Sequence, residues 1–144
     1  MRGVRVLLVF LVTCFMAMHA NAKNAPSKSK RQFDHCLKGA FDDGSLIRCY
    51  AIYTERLKAD LRRENRRIAL ALSKPGPALT DYAAATKNLK AAHAAWLRYV
   101  EQDCDLLHNT FGEGNAFALV GTECTNTHYE NRLKSLKFSS GFLP

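Results

Sequence analysis

The sequence predicts an all-α fold, a small helical bundle stapled by disulfides, with two long antiparallel helices and two shorter ones. Apolar residues recur at intervals of three, four or seven over two long stretches, which is typical of amphipathic helices. Alternation typical of a strand never lasts more than a few residues. The chain after residue 22 holds four cysteines, and its 144-residue total suffices for one domain.

The N-terminus, residues 1–22, is typical of a secretory signal peptide. A charged start and an apolar stretch over residues 6–18 precede Ala20-Asn21-Ala22, which fits the cleavage pattern. The apolar stretch is shorter than the roughly 20 residues of a membrane-spanning helix, and no later segment approaches that length. We therefore expect a periplasmic or secreted chain that begins at Lys23. Leu11-Val12-Thr13-Cys14 loosely fits a lipid-attachment sequence, so a lipidated Cys14 is the alternative N-terminus.

Cysteine usage agrees with export. The mature chain keeps Cys36, Cys49, Cys104 and Cys124, and an even set in an oxidising compartment is typical of two disulfides. Reversing loops separate the first two cysteines and the last two, which favours Cys36–Cys49 and Cys104–Cys124. Antiparallel packing of the long helices leaves the crossed set, Cys36–Cys104 with Cys49–Cys124, open as a rival.

The mature chain divides into a tail and one domain. Residues 23–31 are polar and basic, and we expect them to be disordered. The helical domain covers residues 32–138. Within it the pattern predicts a short helix over 32–40, a long helix from a Ser45 cap to Lys74-Pro75, a second long helix from Thr80 or Asp81 to the glycines at 112 and 114, an apolar loop over 115–121, and a last helix over 122–136.

Cysteine, tryptophan and arginine spacings give this domain a family resemblance. They are Cys36-x12-Cys49, Trp96-x7-Cys104 and Cys124-x7-Arg132-x3-Leu136. These spacings resemble those of the lysozyme inhibitor LprI-like family of small exported bacterial proteins, across almost the whole mature chain. His93 stands where that family often has Gln. The resemblance implies a helical exported domain, and the family name implies lysozyme inhibition.

The long basic helix offers a candidate face for an anionic partner. Its arginines are Arg62, Arg63, Arg66 and Arg67. Because no aromatic residue interleaves with them, base stacking is not expected, and we predict no sequence-specific nucleic-acid binding. The alternative interpretation is a solvated helix face on which Glu and Arg form pairs three or four residues apart.

Trp96 and Arg132 are predicted to be structural. Helical spacing makes Trp96 an anchor of the core between the two long helices. Arg132 follows the last cysteine by two turns, where it either forms an ion pair that locks the last helix or belongs to a surface site.

A zinc site is the alternative to the second disulfide. Cys104-x3-His108 and Cys124-x3-His128 would supply a tetrahedral set of two thiolates and two imidazoles. Export favours disulfides, and a zinc set would leave Cys36 and Cys49 as a pair of their own. We therefore expect no metal and no cofactor.

Two functions fit these features. No motif ties a nucleophile to a base and an orienting group, so we expect no enzyme. The first function is a non-catalytic binding domain that inhibits lysozyme or a related glycan-cleaving enzyme. The alternative is an envelope-associated structural or adaptor protein that binds an anionic polymer or another protein through its basic helix face. Loss of residues 1–22 removes two arginines and no acid, which lowers the net charge from +8 to +6. This charge opposes long-range attraction to basic lysozymes.

Overall fold

The chain folds into helices alone in the part that the structure describes, which confirms the predicted all-α class. A computed structural model covers residues 25–74, 76, 81–111 and 115–143, without the side chains of 108, 111 and 115–117. The predicted signal peptide, residues 1–22, lies outside the described residues. The helices are α1 (Lys28–Lys38), α2 (Asp43–Leu72), α3 (Tyr82–Phe111) and α4 (Asn115–Ser140). None of these described helices combines the length and the apolar character needed to cross a bilayer.

Helix α1 begins earlier than predicted, so the expectation of a disordered tail is wrong for residues 28–31. The hydroxyl of Ser27 accepts a hydrogen bond from the backbone N–H of Lys30 at 3.1 Å and caps the helix. One turn inside, the buried Ser29 donates a 2.7 Å hydrogen bond to Asp60 on α2. Capping and a long-range polar contact order this polar segment. Neither interaction can be inferred from its residue composition, which includes no apolar residue.

Helix α2 is capped by Asp42, and not by Ser45 as predicted. The Asp42 carboxylate accepts a hydrogen bond from the backbone N–H of Ser45 at 2.6 Å. The hydroxyl of Ser45 accepts one from the backbone N–H of Asp42 at 3.2 Å. The two residues thus form a reciprocal capping box that fixes the turn between α1 and α2.

Helix α4 is a third long helix, so the loop predicted over residues 115–121 and the short last helix are corrected. Thr122 and Thr125 donate their hydroxyls to the carbonyls of Ala118 and Gly121, one turn back. Glycine inside a helix costs about 1 kcal/mol relative to alanine. The half-buried residues 118–122 offset this cost because tertiary packing contributes most of the stability of a helix in a protein.

Helix α4 lies between α2 and α3. Both α2 and α3 pack more extensively on α4 than on each other. Along the α2–α4 interface, Thr54 donates to Asn126 at 2.7 Å, and further on Ser140 donates to Glu64 at 3.2 Å. Because residues further along α2 contact residues further along α4, the two helices run parallel. The two long helices predicted to pair directly therefore meet mainly through α4.

Two disulfides close adjacent helix pairs. Cys36–Cys49 joins α1 to α2, and Cys104–Cys124 joins α3 to α4, each with a Cα–Cα distance of 5.7 Å. This confirms the local pairing and rules out the crossed set. In the chain-entropy model each bridge contributes roughly 2–4 kcal/mol to stability. The second bridge holds α3 antiparallel to α4.

The core follows the interface of α2 with α4. Tyr53 and Leu57 are its most buried large side chains, each 2% exposed. Phe33 of α1 stacks on Tyr53 at 4.2 Å between ring centroids and meets Tyr50 edge-on at 5.0 Å, so α1 joins through aromatic contacts. The other buried apolar residues of the described chain are Cys49, Leu61, Ile68, Leu72, Val100, Cys104, Tyr129, Leu133 and Leu136.

We predict that Leu57→Ala destabilises the protein by about 2–5 kcal/mol, because it removes apolar volume from the α2 core face. Leu70→Ala is the matched control on the same helix: its side chain is 65% exposed, and we expect a change within about 0.5 kcal/mol. Urea unfolding followed by circular dichroism measures both. Equal effects of the two substitutions would contradict the assigned core face.

Candidate functional site

Four side chains from α3 and α4 form a polar and aromatic cluster, which we call the Trp96 site: His93, Trp96, Tyr129 and Arg132. The guanidinium carbon of Arg132 lies 5.9 Å from the centroid of the Trp96 ring system. Tyr129 meets that indole edge-on at 4.9 Å, and His93 lies nearly parallel to it at 6.0 Å. Each helix contributes two residues three positions apart, which places them on one face. The site therefore exists only where α3 and α4 pack together.

The Trp96 site contains two buried nitrogen atoms without partners. Neither Arg132 Nε nor His93 Nδ1 has a hydrogen-bond partner within the described residues, although buried polar atoms normally do. Arg132 also has no carboxylate partner in this part of the chain. Burial lowers the pKa of Arg132. Burial and, second, the nearby Arg132 charge lower the pKa of His93. The Trp96 site therefore holds a positive charge that no carboxylate of the described residues neutralises.

Trp96 and Arg132 contact each other across the interface of α3 with α4. Trp96 is half-buried and packs against the core, as predicted, but its ring contacts outside α3 are with α4 and not with the second long helix α2. The reason is that α4 lies between those helices. Of the two alternatives predicted for Arg132, the locking ion pair has no partner among the described residues, and the guanidinium forms a cation–π contact with Trp96.

The predicted arginine face divides into paired and unpaired cations. Arg63 pairs with Asp60, and Arg67 pairs with Glu64 at 2.6 Å and also donates to the hydroxyl of Ser140. The hydrogen bond from Arg67 lowers the pKa of Glu64. The remaining two, Arg62 and Arg66, are exposed and have no ion-pair partner among the described side chains. Arg63 and Arg67 thus form the i,i+3 ion pairs that are expected of a solvated helix face.

The cysteines and histidine of the alternative zinc set lie together but in oxidised form. The ligand atoms of Cys104, Cys124 and His128 lie within 4.8 Å of one another. The two sulfurs are bonded to each other and offer no thiolates, which are the form that binds zinc. The side chain of His108 lies outside the described part of the chain. His128 Nε2 instead lies 2.7 Å from a carboxylate oxygen of Asp103.

The pair of Asp103 and His128 was not found from the sequence. The signal was available, since Asp103 precedes Cys104 and His128 follows Cys124 by one turn, so the second disulfide brings them together. Among the described side chains, no hydroxyl or thiol is hydrogen-bonded to His128.

The family profile described as Lysozyme inhibitor LprI matches residues 36–136. The chain belongs to the lysozyme inhibitor LprI family. The matched span begins at Cys36 and includes both disulfides and the whole Trp96 site. No curated protein and no solved structure matches the chain.

We predict that Arg132→Gln raises the pKa of His93, because it removes a positive charge that opposes protonation of the imidazole. The matched control is Lys134→Gln on the exposed side of α4, which should leave the pKa of His93 unchanged. NMR titration of the imidazole resonances measures both. A pKa that does not move in Arg132→Gln would contradict the proximity of the two groups.

Proposed function

We propose that the mature protein is a periplasmic or secreted inhibitor that binds lysozyme or a related glycan-cleaving enzyme without catalysing a reaction. The family match over residues 36–136 carries this proposal. Two disulfides support export into an oxidising compartment. The Trp96 site supports a binding role because it pairs an aromatic surface with a cation that lacks a counter-ion in the described residues.

The chemistry of the target explains how the Trp96 site would act. Glycan-cleaving enzymes place two carboxyl groups on either side of the bond that they cut. A carboxylate of the target would accept a hydrogen bond from the guanidinium of Arg132, while the indole of Trp96 would cover apolar surface beside it. Tryptophan and arginine are also the residues most enriched among the energetic centres of protein interfaces. Occupation of the catalytic carboxylates would exclude the glycan.

The net charges of the two proteins oppose their association at long range. The predicted mature chain carries +6, and animal-type lysozymes are also basic, so long-range electrostatics oppose the encounter. Added salt screens exposed charges over a Debye length but screens buried pairs much less. Binding must therefore come from local contacts, and it should withstand salt.

We predict that the mature protein inhibits cell-wall hydrolysis by a basic lysozyme no less strongly at about 0.5 M salt than at about 0.05 M. Arg132→Gln should weaken inhibition roughly tenfold or more, because it removes the cation that meets the target carboxylate. Arg62→Gln, which removes the same charge from an exposed position of α2, should have little effect.

The measurement is the rate of cell-wall hydrolysis against inhibitor concentration, with circular dichroism to establish that each variant is folded. Inhibition that collapses as salt is added would contradict the role of local contacts. Equal losses in Arg132→Gln and Arg62→Gln would remove the Trp96 site from the proposal, and absence of inhibition at any salt concentration would refute the proposed function.

A further inference from the structure

A second surface, far from the Trp96 site in sequence, carries an excess of positive charge. A groove of about 640 Å³ runs between α1 and α2, and we call it the basic groove. Lys28, Arg31 and His35 of α1 and Arg56 of α2 line it, with Ile52 and Cys36 also on its walls. None of the described acidic side chains lines it. The groove thus combines a cationic rim with a small apolar surface.

The positive charge of the basic groove has no internal counter-ion in the described residues. The nearest acidic residues in sequence are engaged elsewhere: Asp34 pairs with Lys30 at 2.6 Å, and Glu55 pairs with Lys58 at 2.8 Å. Arg31 donates to the backbone carbonyl of Pro26, which orients the guanidinium without neutralising it. Residues 1–24 contain no Asp or Glu, so the preceding chain adds no carboxylate.

The basic side chains of α1 in the groove form a row. Lys28, Arg31 and His35 are three and then four residues apart, so they follow one face of α1 over about two turns, or roughly 10 Å. Arg56 of α2 adds to the positive charge of Lys28 and Arg31 on the same groove. The amino end of α1, which carries the positive end of the helix dipole, adds to the potential at Lys28. Successive cations along a groove fit a ligand with successive anionic groups.

We propose that the basic groove binds the phosphate groups of a linear polyanion. Arginine offers phosphate a planar pair of donors, and lysine offers it a compact charge, so the mixture suits phosphate oxygens. A membrane of anionic lipid fits less well, because the exposed Phe41 at the adjacent α1–α2 turn is followed directly by Asp42 and Asp43. Those carboxylates repel an anionic lipid surface at the point where Phe41 would enter it.

This site is independent of the proposed inhibition of lysozyme. Lys28, Arg31 and His35 precede residue 36, where the family match begins. The disulfide of Cys36 with Cys49 fixes α1 against α2 and so holds the two sides of the groove in place. Failure of either proposal leaves the other intact, since one concerns α1 and α2 and the other concerns α3 and α4.

The test compares two double variants that lose the same charge. Arg31→Gln with Arg56→Gln removes two cations from the groove, and Lys87→Gln with Lys90→Gln removes two exposed lysines of α3 outside it. Isothermal titration of the mature protein with short-chain polyphosphate at several salt concentrations measures affinity. We expect the groove variant to bind at least tenfold more weakly and with a salt slope lower by roughly one unit or more. The control should stay within about twofold of the parent.

Each of the following results would contradict one part of the proposal. Equal losses in both double variants would show that net charge alone attracts the polyanion. Equal affinity for polyglutamate of matched charge would refute the preference for phosphate. Binding to vesicles of phosphatidylglycerol without binding to polyphosphate would replace the linear polyanion by a lipid surface. Circular dichroism of the variants separates loss of the groove from loss of the fold.

Discussion

The position of α4 between α2 and α3 is the constraint on which the rest of the structure depends. The parallel α2–α4 interface buries Tyr53 and Leu57 and carries the hydrogen bond from Thr54 to Asn126. Because α3 packs mainly on α4, it takes its place in the bundle from that helix and from the disulfide between Cys104 and Cys124. Displacement of α4 would therefore separate α3 from the remainder of the domain.

The Trp96 site follows from the same arrangement. Its aromatic and cationic side chains come in pairs from α3 and α4, and the second disulfide sets how far one helix can slide along the other. The charge of Arg132 at this site has no carboxylate partner among the described residues. The basic groove depends instead on α1 and on the first disulfide.

The sequence predicted the helical class, the local disulfide pairing and the inward faces of the long helices, because apolar spacing and reversing turns report these features directly. It missed features set by tertiary contacts. Ser29 looks like part of a solvated tail until its hydrogen bond to Asp60 is known. Gly121 looks like the end of a loop until packing continues α4 through it. Because the sequence did not predict that α1 begins at Lys28, it did not predict the row of basic side chains in the groove either. The contacts of Trp96 depend on which helix lies at the centre of the bundle. The spacing of apolar residues does not specify that helix.

The central claim is that the surface formed by α3 and α4 at Trp96 is where the protein meets its target. Trp96 is the single tryptophan of the chain, so its indole N–H gives one resolved NMR signal. Titration of the labelled mature protein with a basic lysozyme follows that signal together with the backbone amides. We expect the indole signal and the amides around Arg132 to shift most. Shifts confined to α1 and the start of α2, with Trp96 unaffected, would contradict it.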